Sequence, residues 1–405
     1  MCAIKAPNAG FYESVAKGAT RGEPRRRCYY RSSPQGPHHP RNAQTGAMTM
    51  SAAHDTSPRA EDAQPWDNPL GIRGYEFIEF ASPDPAALGR TLERLGFAAI
   101  ARHRHKAVKL YRQGEMNFIV DAEPDSFATR YAARYGLSIC AIGIRVDDAA
   151  VAFARALEAG AWPFEGGTVG PMELNIPAVQ GIGQSVLYFI DRWRGKEGRP
   201  GDVGDISIYD VDFRPLPPAG DMSDAGLLRV DHLTQAVDPG HLEEWLEFYR
   251  KVLGFREQRS GGASHALVSP CGSIRIPLYE KGTPRHDQMR HYLSDQHGEG
   301  IQHIALASED ILASAAALAG RGVQFVQPPP AYYDSVPARV PGHGLDLAAL
   351  QRYGILVDGT GPRERFQQAF LKREAGEFFF EVVQRDGHQG FGEGNLPVLE
   401  ALSTR

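Results

Sequence analysis

Hydrophobic and polar residues follow a repeated pattern in the larger, carboxy-terminal part of the chain. Residues 74–80 alternate as a β-strand does, residues 83–95 have the apolar spacing of a helix, and Gly96 ends that helix. The same order recurs from residue 230, where a strand precedes a helix that ends at Gly254. The pattern predicts a repeated unit that begins with one strand and one helix.

Two shorter versions of this unit begin at residues 139 and 301, and strand-like runs follow the helices. Such runs are residues 187–190, 274–278 and 378–383. Four units of one strand, one helix and several strands predict an α+β chain of two paired halves, built from four βαβββ modules.

The chain divides into a leader, two halves and a linker. Residues 1–67 carry charged clusters and many Ser, Gly and Ala residues without apolar periodicity, which predicts a disordered leader. We expect the halves at residues 68–213 and 226–405. Residues 214–220 between them contain three prolines, which cannot continue a sheet, and we expect this segment to be a linker.

Composition and charge exclude several classes of function. Apolar residues make up 42% of the chain and charged residues 23%, which is ordinary globular usage. The net charge of −5 argues against a nucleic acid or an anionic membrane surface as partner. No apolar run approaches the ~18 residues that cross a bilayer. The four cysteines are scattered, which favours reduced thiols in the cytoplasm over a disulfide framework.

Two histidines and one glutamate lie in strands of the carboxy-terminal half. His232 lies in the first strand of the third unit, His303 in the first strand of the fourth, and Glu381 in the last strand of the fourth. By alignment of the units, the corresponding residues of the amino-terminal half are Glu76, Ala141 and Phe189. One half therefore has two imidazoles and a carboxylate at these places and the other half does not, as a duplicated scaffold with one metal site would show.

A metal site competes with simpler interpretations of these residues. A single histidine in a strand is more often a half-buried residue than a ligand. Glu381 is harder to explain, because it lies between three phenylalanines and two valines, where an unpaired carboxylate would be costly. Two histidines and one glutamate from separate strands form the facial triad of non-haem Fe(II) oxygenases. We therefore predict one metal ion bound by His232, His303 and Glu381.

Several stretches of the chain resemble the 4-hydroxyphenylpyruvate dioxygenase family. The strand around the second histidine, residues 299–305, is similar to a family motif, and so are residues 380–385 and 390–395. Further similar stretches are residues 171–177, 230–234 and 274–277. The resemblance covers residues 68–405. It implies the vicinal oxygen chelate, or glyoxalase-like, fold, with two barrel-like domains and the iron in the carboxy-terminal one.

The resemblance also implies an activity and its partners. Members of the family bind one Fe(2+) per chain and use a 2-keto acid and O2, without a further organic cofactor. The parent reaction oxidatively decarboxylates 4-hydroxyphenylpyruvate to homogentisate in tyrosine catabolism and incorporates both atoms of O2. We expect a soluble, cytoplasmic homo-oligomer that binds neither nucleic acid nor membranes.

Residues of the family's pocket can be assigned by their positions in the motifs. Gln302 and Gln368 correspond to polar side chains at the catalytic centre, and a final helix from Asn395 corresponds to a lid over the site. Without the resemblance, core packing would be the simpler interpretation of each phenylalanine and a solvated edge that of each glutamine. The substrate contacts correspond to Ser264, Tyr279, Gln288, Phe370, Phe379, Phe391 and Leu396.

Three features depart from the family's pattern and leave the substrate open. Tyr279 stands where members usually have Asn, Leu396 stands where they have Phe, and residues 256–264 form a shorter segment. The alternatives are 4-hydroxymandelate synthesis from the same substrate, or a different 2-keto acid. An alternative of another class is a non-catalytic small-molecule or metal-binding protein on the same fold.

Two other histidine-containing segments are weaker candidates for metal sites. Residues 102–106 contain two histidines, but three neighbouring cations would repel a metal ion, and we predict a solvated hairpin. His343 lies in a loop of proline and glycine residues without a carboxylate in matching context.

We predict that the leader is dispensable. Met48 and Met50 precede an ordinary start, and we expect one of them to be the initiator. A chain that begins at Met50 should match the full chain in Tm and turnover, because the leader has too few apolar residues to dock on a core. A drop of several degrees in a thermal melt of the shortened chain would show that the leader packs on the fold.

Overall fold

The order of strands and helices in the structure follows the order of the predicted units. Every described residue lies in one compact unit, Pro58–Arg405. The structure, a computed structural model, describes residues 66–166, 173–193, 206–217, 224–259, 265–281, 298–373 and 378–395.

The first half of the chain forms one eight-stranded sheet. Its strands are β1 (Gly74–Ala81), β2 (Ala98–His103), β3 (Val108–Gln113), β4 (Met116–Asp121), β5 (Ser138–Arg145), β6 (Ala178–Gln180), β7 (Val186–Ile190) and β8 (Phe213–Pro215). Their order across the sheet is β6-β7-β5-β1-β4-β3-β2-β8.

The second half forms another eight-stranded sheet. Its strands are β9 (Leu227–Val237), β10 (Arg256–Arg259), β11 (His265–Val268), β12 (Arg275–Glu280), β13 (Gly300–Ser308), β14 (Leu356–Gly361), β15 (Glu364–Phe370) and β16 (Phe379–Asp386). Their order across the sheet is β10-β11-β12-β9-β13-β16-β15-β14.

The two sheets share one pattern of pairing. The opening strand of each module runs parallel to the last strand of that module, as β1 does to β4 and β13 does to β16. The opening strands of two modules pair antiparallel at the centre of each sheet, β1 with β5 and β9 with β13. The second module has two described strands after its helix instead of three. The two curled sheets confirm the predicted α+β fold with barrel-like halves.

Helices connect the strands, and several begin at a residue visible in the sequence. The helices are α1 (Pro85–Arg94), α2 (Phe127–Tyr135), α3 (Ala149–Glu158), α4 (Ile208–Asp212), α5 (Leu242–Lys251), α6 (Ile311–Gly320), α7 (Pro330–Arg339) and α8 (Leu347–Tyr353). Asp84, Asp148 and Asp310 cap α1, α3 and α6, each accepting a backbone N–H three residues ahead. Among the described residues, none of these helices has both the length and the apolar character to span a membrane.

The three phenylalanines that precede Glu381 lie at the start of β16 and point to two different faces. Phe378 and Phe380 pack against Phe80 of the first sheet, with ring centroids 5.7 and 6.0 Å apart. Successive residues of a strand point to opposite faces, so Phe379 and Glu381 face away from this core. One strand therefore contributes to the packing between the sheets and also to the interior of the second sheet.

Two boundaries differ from those predicted. Pro215 was expected to end the sheet, but it lies in β8, which pairs antiparallel with β2 at the edge of the first sheet. An edge strand tolerates proline because one side of it has no partner strand. The indole of Trp66, a residue of the predicted leader, donates to the carbonyl of Gly254 at 2.8 Å. Residues 1–65 and 218–220 lie outside the described residues.

The predicted hairpin at residues 102–106 joins β2 to β3, but His103 is not solvated. It is 9% exposed, and its ring lies 5.4 Å from that of Phe213. Its Nδ1 accepts the backbone N–H groups of His105 and Lys106 at 3.2 and 3.1 Å. Burial lowers the pKa of His103, so a neutral ring stabilises the turn.

Gly114 lies where the first sheet meets the second. It has φ +54, and a Cβ there would lie 2.4 Å from the carbonyl oxygen of Leu228. The next residue, Glu115, donates its backbone N–H to the same oxygen at 2.8 Å. The junction therefore requires both a left-handed backbone and the absence of a side chain.

We predict that Gly114→Ala destabilises the protein more than Gly272→Ala does. Gly272 also has positive φ (+75) but has open space where the Cβ would be, so it controls for the backbone cost alone. The additional loss at Gly114 should be roughly 1–3 kcal/mol, as for overpacking, measured by urea unfolding. Equal losses of unfolding free energy in the two variants would show that the junction accommodates the added methyl group without cost.

Candidate metal centre

Three neighbouring strands at the centre of the second sheet carry the predicted ligands. His232 lies on β9, His303 on β13 and Glu381 on β16. Ala305 of β13 is in register with both His232 and Glu381. Residues in register share a face of the sheet, and His303 is two residues from Ala305, so the three ligands lie on the same inner face.

The three side chains converge on one point. Nε2 of His303 lies 3.3 Å from Oε2 of Glu381, and Nε2 of His232 lies 3.5 Å from the same oxygen. One donor atom of each residue lies within 4.8 Å of the other two, and each residue is at most 3% exposed. Within the described residues, no other group of His, Cys, Asp and Glu side chains converges in this way. Two imidazoles and one carboxylate suit a single metal ion with open coordination positions.

Asp231 determines which nitrogen of His232 faces the centre. Its Oδ1 lies 2.7 Å from Nδ1 of His232, and the pairing of β9 with β13 skips Asp231, as at a β-bulge. An Nδ1–H donated to this carboxylate leaves the lone pair of Nε2 for a metal. His303 lacks such a partner, because its buried Nδ1 has no hydrogen bond among the described residues.

The buried carboxylates remain ionised. Burial raises the pKa of Asp231, but the charge of Arg385 and the hydrogen bonds from His232 and Arg385 outweigh it and hold this pKa well below its usual range. Burial also raises the pKa of Glu381, and the hydrogen bonds from both histidines outweigh it, so the net pKa is lowered.

The two imidazoles differ in their electrostatic environment. Burial lowers the pKa of His303 more than Glu381 raises it, so the ring is neutral, as a metal ligand must be. Burial also lowers the pKa of His232, but hydrogen bonds to Asp231 and Glu381 outweigh it and raise the net value. Without a metal ion, His232 is therefore the imidazole that would be protonated, because it lies between the carboxylates of Asp231 and Glu381.

Aromatic rings surround the two histidines. Phe379 stacks on His303, with centroids 4.6 Å apart and planes inclined by 28°. Phe391 meets His232 edge-on at 5.0 Å. Phe370 lies 6.0 Å from Phe379 and is in register with the glutamate ligand, so it faces the same side. The structure thus places all three predicted aromatic contacts beside the ligands.

Two of the remaining predicted residues, Gln368 and Tyr279, lie on the inner face of the second sheet. Gln368 lies two residues before Phe370 on the inner face, buried against the backbone of Gly392. Tyr279 of β12 is in register with Ala236, which shares the inner face with the first ligand of β9. Ser264, Gln288, Leu396 and the predicted final helix after Asn395 lie outside the described residues.

Gln302 does not follow the alternation of an ideal strand. The pairing of β13 with β9 skips it, so its place next to His303 in the sequence does not put its side chain on the opposite face. Its Oε1 is buried and has no hydrogen-bond partner among the described residues. A buried acceptor next to a ligand is available to a bound molecule.

The first sheet carries aromatic residues where the second carries ligands. Gly143 of β5 is in register with Phe77 of β1 and Tyr188 of β7, as Ala305 is with the two ligands of the second sheet. The rings of Phe77 and Tyr188 lie 5.8 Å apart. Ala141, two residues before Gly143, corresponds to His303. Phenyl and phenol rings therefore occupy the interior in place of metal ligands.

The sequence alignment of the two halves is wrong by one residue at two of its three positions. It matched Glu76 with His232 and Phe189 with Glu381, whereas the pairing matches Phe77 and Tyr188. The pairing skips Glu76 in the first sheet and Asp231 in the second, so these two acids correspond. A bulge adds a residue that the alternation of side chains cannot reveal.

Sequence reasoning missed two residues of the site, Asp231 and Arg385. Both lie in stretches that resemble the family's motifs, one directly before a ligand and one four residues after a ligand. An acid that precedes a strand histidine is a signal for a partner that orients the ring. The pairing of Asp231 with Arg385, 154 residues later, has no local signal.

We predict that replacing any one of His232, His303 and Glu381 by alanine abolishes stoichiometric metal binding, because two side chains seldom hold a metal ion against water. Metal content after reconstitution with Fe(II) measures this. Gln302→Ala is the matched control and should retain most of the metal, since its side chain is not among the three that converge. Full metal content in His303→Ala would contradict the assignment.

Two family models match the chain. The N-terminal model of hydroxyphenylpyruvate dioxygenase matches residues 66–214, and that of the glyoxalase, bleomycin resistance protein and dioxygenase superfamily matches residues 229–336. The first match spans the first sheet, and the second begins at the start of the second sheet and ends before β14.

Several known proteins are similar over most of the chain. A 4-hydroxyphenylpyruvate dioxygenase of a Pseudomonas species is 43% identical over 351 residues, which cover 82% of this chain and 94% of that protein. Hemolysin VllY of Vibrio vulnificus is 43% identical over 347 residues, with the same coverage. The solved structure of a fusion of a xylose isomerase-like TIM barrel with a 4-hydroxyphenylpyruvate dioxygenase is 33% identical. The structural alignment has a TM-score of 0.69 and covers 84% of this chain and 53% of the fusion protein. The chain therefore belongs to the 4-hydroxyphenylpyruvate dioxygenase family, whose members are oxidoreductases that use O2.

Proposed function

We propose that the protein is an Fe(II)-dependent dioxygenase that converts 4-hydroxyphenylpyruvate and O2 to homogentisate and CO2. The observation that carries the proposal is the buried cluster of His232, His303 and Glu381, which lies on a face lined with phenylalanines. A facial triad leaves positions free for a chelating 2-keto acid and for O2. The cytoplasmic location and the homo-oligomeric state remain predictions.

Each part of the site has a role in this reaction. An Fe(II) ion held by the three ligands would supply the electron transfer between the 2-keto acid and O2. Asp231 orients His232, and Glu381 balances part of the charge of the ion. Phe379, which stacks on a ligand ring, and Phe391, which meets the other ring edge-on, would exclude water from the centre.

The aromatic and polar side chains would also hold the substrate. Phe370, Phe379 and Phe391 offer ring faces and edges to the aryl group of the substrate. Gln368 and Gln302 are both at most 4% exposed and carry amides that can donate and accept hydrogen bonds. The unpartnered Oε1 of Gln302 would gain a partner when the substrate or its water binds.

Two alternatives remain distinguishable by experiment. Benzylic attack on the same substrate gives 4-hydroxymandelate, and a change of pocket shape is enough to favour it. A sequestering protein on the same fold would bind metal or ligand without turnover. The intact triad beside buried glutamines favours catalysis over sequestration.

Product identification tests the proposal. The protein is incubated with Fe(II), O2 and 4-hydroxyphenylpyruvate, and the products are separated by chromatography before mass spectrometry. Separation is essential because homogentisate and 4-hydroxymandelate have the same elemental composition. Homogentisate formed in step with O2 consumption is expected. Sole formation of 4-hydroxymandelate would replace the proposed reaction by its alternative, and metal binding without O2 consumption would favour sequestration.

We predict that Tyr279 weakens the preference for a hydroxylated substrate. Tyr279 lies on the inner face, where an amide would offer both a donor and an acceptor on a shorter side chain. Sites that hydrogen-bond a substrate hydroxyl reject the analogue without it strongly, and apolar sites discriminate weakly. Tyr279→Asn should therefore raise the ratio of kcat/KM for 4-hydroxyphenylpyruvate over phenylpyruvate, measured by O2 uptake.

The wild-type ratio decides whether this prediction stands. A preference of about 10⁴ in the unaltered protein, the range that polar sites reach, would show that Tyr279 does not impair recognition. Tyr249→Phe serves as the control, because its hydroxyl binds Gln235 on the helix-covered side of β9. It should leave the ratio unchanged.

A further inference from the structure

The carboxylate of Asp231 has two sets of partners. On one side its Oδ1 binds Nδ1 of the ligand His232 at 2.7 Å. On the other side the guanidinium of Arg385 pairs with both of its oxygens, Nε with Oδ2 at 2.8 Å and Nη2 with Oδ1 at 2.7 Å. Such a forked pair fixes direction as well as charge. Arg275 lies farther away, with Nη1 3.6 Å from Oδ2.

The same guanidinium also holds the segment that follows β16. Nη1 of Arg385 donates to the backbone carbonyls of His388 and Gly390. Its Cζ lies 5.0 Å from the ring centre of Phe391 and 4.5 Å from that of Phe366. We call residues 387–392 the Phe391 segment. Its backbone and its aromatic ring are therefore both in contact with one arginine.

These contacts close into a ring of four side chains. His232 contacts Asp231, Asp231 contacts Arg385, Arg385 contacts Phe391, and the ring of Phe391 meets that of His232 edge-on at 5.0 Å. Asp231 is 4% exposed and His232 2%, so solvent cannot replace a contact that is lost. The orientation of the ligand and the position of the segment are thus not independent.

We propose that Arg385 is a positioning residue that couples the ordering of the Phe391 segment to metal binding at His232. Asp231 transmits the effect. It orients the imidazole of His232, and it is itself held in place by the guanidinium that also holds the segment. Coupling of this kind is reciprocal: a metal ion that orders His232 stabilises the segment, and an ordered segment raises the affinity for the metal. The inference rests on the proposed metal centre and not on the choice of keto acid.

A second arginine in the same part of the fold provides a matched control. Arg365 pairs with Asp386, with Nη2 2.8 Å and Nε 3.1 Å from Oδ2, and it also donates to the carbonyl of His343. Within the part of the chain that the structure describes, its side chain makes no hydrogen bond, ion pair or ring contact with a predicted metal ligand or with Phe391. Loss of either arginine removes an ion pair and a carbonyl contact, but only Arg385 lies in the ring of contacts.

The first test measures metal affinity without turnover. Metal-free wild type, Arg385→Gln and Arg365→Gln are titrated with Co(II) in a calorimeter. Loss of groups that orient a ligand typically costs 10–100-fold in metal affinity, so Arg385→Gln should raise the Kd roughly 10–100-fold, and Arg365→Gln should stay near wild type. Arg385→Lys keeps the charge but not the fork, and should fall between them. A wild-type Kd in Arg385→Gln, or an equal loss in both glutamine variants, would overturn the proposal.

The second test measures the coupling itself. Hydrogen exchange of a peptide that spans the Phe391 segment is followed with and without Co(II). Wild type and Arg365→Gln should exchange more slowly when Co(II) is bound, and Arg385→Gln should show no difference. Equal protection in Arg385→Gln would refute the coupling. Asp231→Asn, which keeps Arg385, serves if Arg385→Gln does not fold, and should likewise lose metal-dependent protection.

The two proposals fail in different ways. If wild type does not bind Co(II) or Fe(II), the metal centre and the proposed function both fail. If wild type binds metal and makes homogentisate while the Arg385 and Asp231 variants keep the affinity and the protection, only the coupling fails.

Discussion

The buried carboxylates of the second sheet are the constraint on which the rest of the site depends. An ionised carboxylate in an apolar interior is very unfavourable unless positive or hydrogen-bonding groups converge on it. Glu381 meets two imidazoles, and Asp231 meets an imidazole and a guanidinium. Each group that satisfies one carboxylate is itself held by another contact. The result is a connected set of polar groups in which removal of one member takes a partner from another buried member.

The two halves of the chain show how one scaffold accommodates this requirement differently. Both sheets keep a bulge at the same place in their central pair, with Glu76 in one and Asp231 in the other. Glu76 pairs with Arg145 of β5 at 2.6 Å, whereas Asp231 pairs with Arg385 of β16 at 2.7 Å. The backbone geometry of the central strand pair is therefore the same in both halves, and the side chains on the inner face distinguish the half that carries the candidate metal ligands.

Much of the fold and the choice of the three converging side chains follow from the sequence, since alternation, helical spacing and capping aspartates are local signals. Phe378 and Phe380 identify a buried strand, and Glu381 stands out against them. The sequence does not reveal a bulge, because an added residue changes no local composition; this explains the error of one residue at Glu76. Nor does it reveal that Pro215 lies at a sheet edge or that Arg385 reaches Asp231, because both depend on which strands become neighbours.

The small residues at the centre of each sheet have a consequence for how such a protein can change over time. A Cβ on Gly143 would lie 2.5 Å from the ring of Phe77, so the phenyl ring packs directly on the backbone of this glycine. The corresponding Ala305 of the second sheet has a methyl group, which an imidazole tolerates. Introducing metal ligands into the first half would therefore require the central glycine to change together with the aromatic pair, because a methyl group on Gly143 alone would overlap the ring of Phe77. Single substitutions are in this sense blocked in the first half, whereas the second half already combines a small central residue with imidazole and carboxylate side chains.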